Sequence, residues 1–413
     1  MADQFDVVIV GGGIGGGALA TVLARAGVSV LVLEKSTVYR DHVRGEWMAP
    51  WGVAELKRLD LYEAVRAGGG HHLARHWSCH EEVSHEEALA TAIDLTALLP
   101  DVPGPLCIGH PTLCQLLIEL AARAGATVRR GVEDVRVSDE APRTVTYRFD
   151  GSSHRASCRL VVGADGRASQ VRRQVGIELH RDPTHHLFAG MLVEGAHGWP
   201  AETQTIGAEG DAHFLAFPQG SGRVRLYLGY AKEQPKRLTG ADGPRAFLAA
   251  FQLACLPESE HLARAEPAGP CHSYPNEDSW TDLPMRDGVV LIGDAAGAND
   301  PIIGQGLSIT LRDVRLVRDA VLGARDWRPE IFAAYAGERA ERMRRLRFSA
   351  SVVATMENEF GETARARRTR ARERQMKDPT LFLPFLAAFV GPDQLPAEAF
   401  AEETRRRLFA DDP

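Results

Sequence analysis

A glycine-rich turn near the start of the chain has the residue types and spacing that bind a dinucleotide. Residues 11–16, GGGIGG, fit the pattern G-x-G-x-x-G and directly follow the apolar run 7–10. That run is short and rich in β-branched residues, which is typical of a buried parallel strand. Apolar residues then recur at helical spacing from 18 to 26, and Gly27 is expected to end that helix.

Each glycine of the pattern has a different structural role. Gly11 permits the tight turn, Gly13 lets a pyrophosphate approach the backbone, and Gly16 lets the helix pack closely on the strand. The helix N-terminus offers N–H groups and a partial positive charge to the phosphates. A second strand over 28–33 ends in Glu34, at the ~20-residue distance of a carboxylate that binds a ribose hydroxyl. The stretch therefore predicts a dinucleotide site without separating FAD from NAD.

Two further carboxylates follow predicted strands. The run 159–163 leads to Asp165, and the run 289–293 leads to Asp294 and a loop rich in glycine and proline. Ligands bind at the edge where parallel strands have their carboxyl ends. Because a carboxylate only accepts hydrogen bonds, two more of them suit a cofactor with many hydroxyls, such as the ribityl chain of FAD. A plain NAD dehydrogenase needs only the first motif.

Two other clusters of polar and aromatic residues leave alternatives open. Arg44 lies in a loop with Trp47 and is either a ligand of the dinucleotide or a surface residue. Residues 68–85 contain histidines at 71, 72, 76, 80 and 85. The spacing H-E-x-x-x-H, from His80 to His85, is not the H-E-x-x-H of a metalloprotease helix. We therefore expect no metal site here, but a strand and loop with histidines that face solvent or a pocket.

The elements that must position these residues alternate between strand and helix in most of the chain. A helix is predicted over about 50–67, and another begins at His110 and ends before Gly125. A hairpin is predicted with strands 144–149 and 155–162 and a turn at Asp150-Gly151. Strand-like runs at 186–193, 213–217 and 223–230 replace the helical pattern and indicate an inserted antiparallel sheet.

The predicted fold class is therefore α/β. We expect a Rossmann-like cofactor-binding domain with a parallel sheet over 1–70, 100–180 and 281–330. An antiparallel-sheet substrate domain is expected over 71–99 and 181–280, and a C-terminal helical region over 331–413.

Composition excludes several classes of protein. The 413 residues carry a net charge of −7, which gives no overall attraction to nucleic acid or anionic membranes. No apolar run reaches ~18 residues and no signal peptide is recognisable, so we expect no membrane span. The six cysteines are scattered, as in cytoplasmic proteins with reduced thiols. A cytoplasmic monomer or homodimer is the expectation.

The motifs, taken in order, resemble those of single-component (group A) FAD-dependent monooxygenases of the para-hydroxybenzoate hydroxylase type. Residues 11–16 with Glu34 resemble the family's ADP-binding fingerprint. Residues 163–166, GADG, with Ser169 and Arg172 resemble its "DG" motif. Residues 293–296, GDAA, resemble its "GD" motif, together with Pro301 and the G-Q-G of 304–306. The resemblance covers residues 5 to 321.

The resemblance implies roles for individual residues. Glu34 would hold the adenosine ribose, and Asp294 would bind ribityl hydroxyls. The Pro301 carbonyl would lie beside the flavin C4a edge. The full set implied for cofactor binding is Gly11, Gly13, Ile14, Gly15, Gly16, Glu34, Lys35, Arg44, His110, Asp165, Asp294, Pro301, Gly304, Gly306, Leu307 and Ser308.

Some of these positions depart from the family or act through the backbone. The N–H groups of Leu307 and Ser308, at a helix N-terminus, would stabilise negative charge at the flavin N1–C2=O. His110 stands where the family usually has Arg or Gln, and Gly297 stands where it often has His. The substrate residues implied, by a loose alignment of the inserted sheet, are Trp47, Phe217, Arg225 and Tyr227.

The reaction implied by the resemblance uses NADPH or NADH and O₂. Reduced FAD forms a C4a-hydroperoxide, and an electron-rich aromatic substrate takes its terminal oxygen. No general base follows from the sequence, and Pro301 is the only flavin-edge candidate. The alternatives are an FAD-dependent reductase or halogenase of the same fold and a non-catalytic FAD-binding protein. The W-x-W-x-I-P motif of halogenases does not occur in the sequence.

The C-terminal region contains an arginine-rich segment and an apolar one. Residues 365–374 include six arginines, interrupted by Glu373, and are expected to form a solvated helical face rather than a nucleic-acid arm. Residues 381–390 are too short to span a membrane and are expected to pack as core or cover the pocket.

Overall fold

A computed structural model describes residues 3–43, 45–139 and 142–410. A mostly parallel sheet, called the first sheet, organises the N-terminal part. Its strands lie in the spatial order Met285–Arg286, Val289–Leu291, Ser152–Gly163, Asp3–Val10, Val30–Glu34 and Thr127–Arg130. Arg143–Phe149 and Glu133–Val137 extend Ser152–Gly163 as antiparallel neighbours, which confirms the predicted hairpin.

The register brings the predicted site residues to one edge of the first sheet. Val10 pairs with Gly163 and with Leu33, and Gly163 pairs with Leu291. The glycine turn, Glu34, Asp165 and Asp294 therefore all follow the carboxyl ends of neighbouring strands. Three helices, Ile14–Arg25, His110–Arg123 and Gly306–Gly323, bury their apolar faces in the core beside this sheet.

An antiparallel sheet, called the second sheet, forms the other layer. Its strands in order are Glu266–Pro267, His186–Glu194, Arg223–Tyr230, Ala212–Gly220, Thr203–Glu209, Arg75–His80 and Ile93–Asp94, with His272–Asn276 also paired to His186–Glu194. Arg75–His80 joins parallel to Thr203–Glu209. Successive side chains alternate between two faces, so one face carries Trp77 and Phe214 into a core while the other carries His76 and Phe217 into a cavity.

The C-terminal region consists of the helices Ala333–Glu357, Glu362–Lys377, Leu383–Val390 and Glu402–Phe409. Leu383–Val390 packs against Ala333–Glu357, and its Ala388 and Phe389 line the cavity. This segment therefore covers the pocket. No helix in the described ranges combines the length and apolar character that crossing a membrane requires.

The predicted fold class is confirmed, with local corrections. The predicted helix over 50–67 is two helices, Pro50–Arg58 and Tyr62–Ala67, because Asp60 adopts a positive φ of 53° between them. Strand Thr203–Glu209 was not predicted. The remaining α-helices and strands of the described residues are short: His85–Ala90, Gln170–Gln174, Gly243–Ala249, Ser259–Ala263, Trp47–Met48, His71–His72, Leu106–Cys107, His180–Arg181 and Ser279–Trp280.

Candidate active site

The glycine turn leaves bare backbone at the N-terminus of helix Ile14–Arg25. Gly11 has a φ of +104°, and a Cβ added there would lie 2.3 Å from the Ala164 carbonyl oxygen. A Cβ on Gly16 would lie 1.8 Å from the Gly11 carbonyl oxygen. A Cβ on Gly13 would meet no atom of the described residues within 4 Å. The turn is therefore packed closely against the protein at Gly11 and Gly16 and is unobstructed at Gly13. A pyrophosphate needs this arrangement to approach the backbone.

Glu34 supports this turn and stays able to accept further hydrogen bonds. Its Oε2 accepts from the Gly12 N–H at 2.6 Å and its Oε1 from the Ser36 N–H at 2.7 Å. A carboxylate has about four lone-pair sites, so capacity for a ribose hydroxyl remains. Glu34 is buried, whereas the side chain of Lys35 is exposed.

The two aspartates at the sheet edge have different surroundings. Asp165 accepts from Ser169 Oγ at 2.5 Å and from the Gln170 N–H at 2.6 Å, so its carboxylate caps helix Gln170–Gln174. Its chain neighbours, rather than Asp165, are among the described residues that line the cavity. Asp294 does line the cavity, and its Oδ2 accepts from Arg167 Nε at 3.2 Å. Asp294 is therefore the aspartate that can contact a ligand directly.

The loop after Asp294 forms the middle of the cavity wall. Pro301, Gly304, Gly306 and Leu307 line it. Ser308 is buried behind them, and its Oγ has no hydrogen-bond partner among the described residues. Helix Gly306–Gly323 begins here, so its first N–H groups face the cavity region.

Asp300 holds the loop in place. It accepts from the Ile302 N–H at 3.0 Å, lies 3.0 Å from His185 Nδ1, and lies 3.4 Å from His186 Nε2. Burial alone would raise the pKa of Asp300, but the hydrogen bonds from the two histidines hold it well below its usual range. An ionised, immobilised carboxylate thus precedes Pro301.

The rest of the wall is mainly aromatic and apolar. The cavity has a volume of about 720 Å³. The Trp47 indole donates to Gln204 Oε1 at 2.7 Å, and its ring lies 5.8 Å from that of Phe217. The Tyr227 ring lies 6.2 Å from Phe217, and burial raises the pKa of its phenol well above 10. Further wall residues are Ile93, Phe188, Ile206, Leu215, Tyr274, Met356, Phe385, Ala388 and Phe389.

Arg225 lies behind this wall. It is fully buried, and its Nη2 donates to Asp41 Oδ2 at 2.6 Å and to Glu46 Oε1 at 2.7 Å. Burial would lower the pKa of Arg225, but Glu46, Tyr227 and Asp41 together raise it. The structure therefore brings Trp47, Phe217 and Tyr227 together at the cavity and places Arg225 in a buried ion cluster.

Four predicted cofactor residues remain. His110 is the first residue of helix His110–Arg123 and lines the cavity near Gly45, where an added Cβ would lie 3.0 Å from the His110 ring. Cys114 Sγ lies 3.6 Å from His110 Nε2. Arg44 lies outside the described residues. Ile14 and Gly15 of the glycine turn also line the cavity.

Comparison with known proteins decides the family. The model of the family described as FAD binding domain matches residues 4–350 of this chain. The chain belongs to this FAD-binding family. FAD is therefore its cofactor, and the resemblance to group A FAD-dependent monooxygenases is confirmed.

The chain is similar to proteins that are named for different activities. Digeranylgeranylglycerophospholipid reductase 1 of Methanococcoides burtonii is 27% identical over 321 residues, covering 75% of this chain and 72% of the relative. Rifampicin monooxygenase of Streptomyces venezuelae is 30% identical over 333 residues, covering 75% of this chain and 62% of the relative. The p-nitrophenol 4-monooxygenase PnpA of Pseudomonas putida DLL-E4 shares the fold, with a TM-score of 0.79, 20% identity and coverage of 95% and 99%.

The open space at Gly13 and the cavity-facing Asp294 fit FAD. The sequence predicted these two features, and it left open whether the histidines of residues 68–85 face solvent or a pocket. It did not indicate that Ser78 and Glu357 line the same cavity. The alternation of polar residues at 76, 78 and 80 was a visible signal for a strand with one cavity-facing side. No local sequence pattern indicated that Glu357 would line the cavity.

The histidine-rich segment of this FAD-binding protein does not gather around one point. His71 Nε2 lies 2.7 Å from the Ala201 carbonyl oxygen, His72 Nδ1 lies 2.9 Å from that of Pro105, and His85 Nε2 lies 2.8 Å from that of Ala254. His76 and His80 face the cavity. The segment therefore divides into two histidines that share the cavity, His76 and His80, and three that bond to separate backbone carbonyls.

The arginine-rich helix Glu362–Lys377 is paired with acidic residues of the same chain. Arg365 Nε lies 2.5 Å from Glu81 Oε1, and Arg368 Nε lies 3.0 Å from Glu82 Oε1. Arg372 also reaches Glu82, at 3.5 Å. These arginines attach the helix to the end of strand Arg75–His80, beside the cavity.

Proposed function

We propose that this protein hydroxylates a small, electron-rich aromatic molecule, with NADPH or NADH as reductant and O₂ as co-substrate. One observation carries the proposal: a single cavity joins the glycine turn and Asp294 to an aromatic chamber walled by Trp47, Phe217 and Tyr227. A flavin that lies along the first part would present its ring to a planar guest in the second. Aromatic side chains favour such a guest by stacking and edge contacts.

In this proposal the chain divides into a cofactor part and a substrate part. The cofactor part comprises 1–70, 100–180 and 281–330, and the substrate part comprises 71–99 and 181–280, with 331–413 as the helical cover. Glu34 would bind the ribose, the bare backbone at Gly13 would receive the pyrophosphate, and Asp294 would bind ribityl hydroxyls. Residues of the loop from Pro301 to Leu307 would hold the flavin ring.

The chain's own residues supply position and exclude water. The chemistry that bound FAD would supply is hydride acceptance from NAD(P)H and activation of O₂. The N–H groups of Leu307 and Ser308, at the start of an 18-residue helix, stabilise negative charge on the ring. Phe385 and Phe389 close the chamber from the C-terminal side and keep water from the reacting atoms.

The test measures NAD(P)H oxidation by the FAD-loaded protein against phenols, arylamines and polycyclic phenols, with peroxide and product assayed together. A compound that accelerates oxidation and gains one oxygen atom from ¹⁸O₂ supports the proposal. Oxidation that yields only peroxide with every compound, or no stimulation at all, contradicts it.

A reductase is the second candidate, because a relative named as a reductase matches three quarters of this chain. A reductase would reduce an unsaturated substrate under anaerobic conditions with pre-reduced flavin. A monooxygenase would form no product until O₂ is admitted. The same anaerobic experiment can be repeated with halide ions present when O₂ is admitted. A halogenated product would then identify a halogenase.

A further inference from the structure

The C-terminal helices place polar side chains on the cavity wall at a point that the proposed reaction does not use. Helix Ala333–Glu357 ends there, and helix Glu362–Lys377 follows after Gly361. Phe382 also lines the cavity and is 37% exposed, so the cavity opens to solvent beside these helices. We refer to this part as the outer end of the cavity; it is lined by Glu357, Arg372, Gln375 and Phe382.

Glu357 supplies a carboxylate oxygen to the outer end. Its Oε2 lies 2.7 Å from His80 Nε2 and 3.8 Å from His213 Nδ1. Its Oε1 accepts no hydrogen bond from the described residues and retains accessible surface. Burial would raise the pKa of Glu357, but His80, His213 and Arg372 lower it to about 2, so the group is ionised. An anionic acceptor therefore remains available to a donor in the cavity.

Arg372 supplies a cation with unused donors. Within the described ranges its one hydrogen bond runs from Nη1 to Glu82 Oε2, at a long 3.5 Å. Glu82 is already held by Arg368, whose Nε lies 3.0 Å from Glu82 Oε1 and whose side chain is only 1% exposed. The Arg372 side chain is 25% exposed and lines the cavity. Its remaining N–H groups suit a planar anionic acceptor such as a carboxylate.

The two opposite charges share one end of the cavity without forming an ion pair. The contacts within 4 Å among the described residues join Glu357 to His80 and His213, and Arg372 to Glu82. The carboxylate and the guanidinium thus lie on the same wall, and each keeps hydrogen-bonding capacity. A wall of this kind is complementary to a ligand group that itself carries one cation and one anion.

Strand Arg75–His80 connects the aromatic chamber to the outer end. The His76 ring lies 5.7 Å from that of Phe389, which covers the chamber, whereas His80 contacts Glu357. Both histidines line the cavity. Four residues of a strand span about 13 Å at ~3.3 Å per residue. A ligand that reaches from the chamber to the outer end is therefore elongated, with its charged group on a chain of several bonds.

We propose that the outer end binds the α-amino-acid group of an elongated aromatic substrate, with its ammonium on Glu357 and its carboxylate on Arg372. This assignment rests on the proposed function, because it takes the aromatic chamber as the place of the reacting ring. A zwitterion satisfies both side chains at once and adds no net charge to the cavity. A substrate with only one charged group would leave Glu357 or Arg372 without its partner. The two residues determine specificity and take no part in oxygen transfer.

Four 4-hydroxyanilides test the inference, because they share one ring and one amide and differ only at the far end of the chain. The γ-L-glutamyl anilide carries ammonium and carboxylate, the 4-aminobutanoyl anilide only ammonium, the glutaric acid monoanilide only carboxylate, and the butanoyl anilide neither. The Kd of each for the FAD-loaded protein is read from the change in flavin absorption, and turnover from incorporation of ¹⁸O₂. We expect the γ-glutamyl compound to bind about 10-fold or more tightly than either singly charged compound.

Single variants assign each charged group to its partner. Arg372→Gln should lose the preference for the carboxylate and keep that for the ammonium, and Glu357→Gln should do the reverse. The matched control is Arg365→Gln, which removes a cation of the same helix that pairs with Glu81 outside the cavity lining. It should leave both preferences unchanged. The comparison of the four compounds on wild-type protein needs no variant, so it tests the inference even where Glu357→Gln fails to load FAD.

The outcomes separate this inference from the proposed function. Equal Kd values for the four compounds, tighter binding of a singly charged compound, no binding of any of them, or an unchanged carboxylate preference in Arg372→Gln overturns the inference. Each of these results leaves the hydroxylase to the panel of phenols and arylamines. If the γ-glutamyl compound binds selectively but neither it nor any panel compound gains oxygen, the binding site stands and the proposed function is overturned.

Discussion

Substitution of Gly13 by alanine tests the cofactor site without disturbing the fold. Gly13 has a negative φ of −72°, outside the left-handed region that favours glycine, and its added Cβ would meet no atom of the described residues within 4 Å. Alanine is a poorer helix cap than glycine but restricts the unfolded chain, so we expect the apo-protein's free energy of unfolding to change by less than about 1 kcal/mol. The methyl group instead occupies the space through which a pyrophosphate reaches the backbone.

The size of the effect follows from the hydrogen bonds that the phosphate would lose. Displacement by a methyl group breaks one or two N–H bonds to a charged acceptor, each worth about 1.5–3 kcal/mol. We therefore expect the Kd for FAD to rise about 10- to 10²-fold per bond lost. Titration of apo-protein with FAD, followed by flavin fluorescence, measures Kd, and urea unfolding of the same sample measures stability.

Two control variants make the result interpretable. Gly16→Ala places a Cβ 1.8 Å from the Gly11 carbonyl oxygen and should destabilise the apo-protein by about 1–3 kcal/mol or more. Gly337→Ala, at an exposed helical position with open space, should leave Kd unchanged and add up to about 1 kcal/mol of stability. Unaltered FAD affinity in Gly13→Ala would refute the placement of the pyrophosphate.

Three further outcomes are expected. Asp294→Ala should weaken FAD binding about 10-fold or more in the same titration. The apo-protein should lose little stability, because the ion pair of Asp294 with Arg167 is partly exposed. A large loss of stability with normal FAD binding would contradict the ligand role. Arg225→Met should lower the free energy of unfolding in urea by about 3–5 kcal/mol, since it leaves the buried Glu46 and the half-buried Asp41 without their cation, whereas Arg237→Met, in a more exposed ion pair, should cost less than about 1 kcal/mol; equal losses would refute the buried cluster. Burial lowers the pKa of His76 and His213 to about 4, so the unfolded chain binds more protons below pH 6.5 and stability falls as pH drops. The loss between pH 6.5 and 5 should be about 2 kcal/mol per histidine in urea unfolding, and His213→Gln should remove its share.

Local sequence patterns determined the elements that surround the glycine turn. The apolar runs that become Asp3–Val10 and Val30–Glu34 are continuous because parallel strands are buried on both faces. The positive φ of Gly11 and the crowding at Gly16 require glycine at these positions, so the residue types reveal the turn. Residues that directly follow parallel strands share one sheet edge, which is why Glu34 and Asp294 could be placed from sequence alone.

The tertiary structure decided the surroundings of the second sheet and of the helices that cover it. Arg225 resembled a pocket residue in its strand, but Asp41 and Glu46 from a distant loop hold it behind the wall. The arginines of helix Glu362–Lys377 resembled a solvated face, but Glu81 and Glu82 pair with several of them. Charge and strand periodicity indicate whether a residue prefers a buried or a solvent-exposed position. They do not identify the partner residue that a distant segment of the chain supplies.

The contact between His80 and Glu357 illustrates the same limit. The two residues are 277 positions apart, and neither lies in a motif. Strand alternation predicts only that His76, Ser78 and His80 share a face. The packing of helix Ala333–Glu357 over that face gives one of the two cavity-lining histidines, His80, a carboxylate partner. Such long-range pairings depend on how the layers of the fold pack against each other, so local sequence patterns do not predict them.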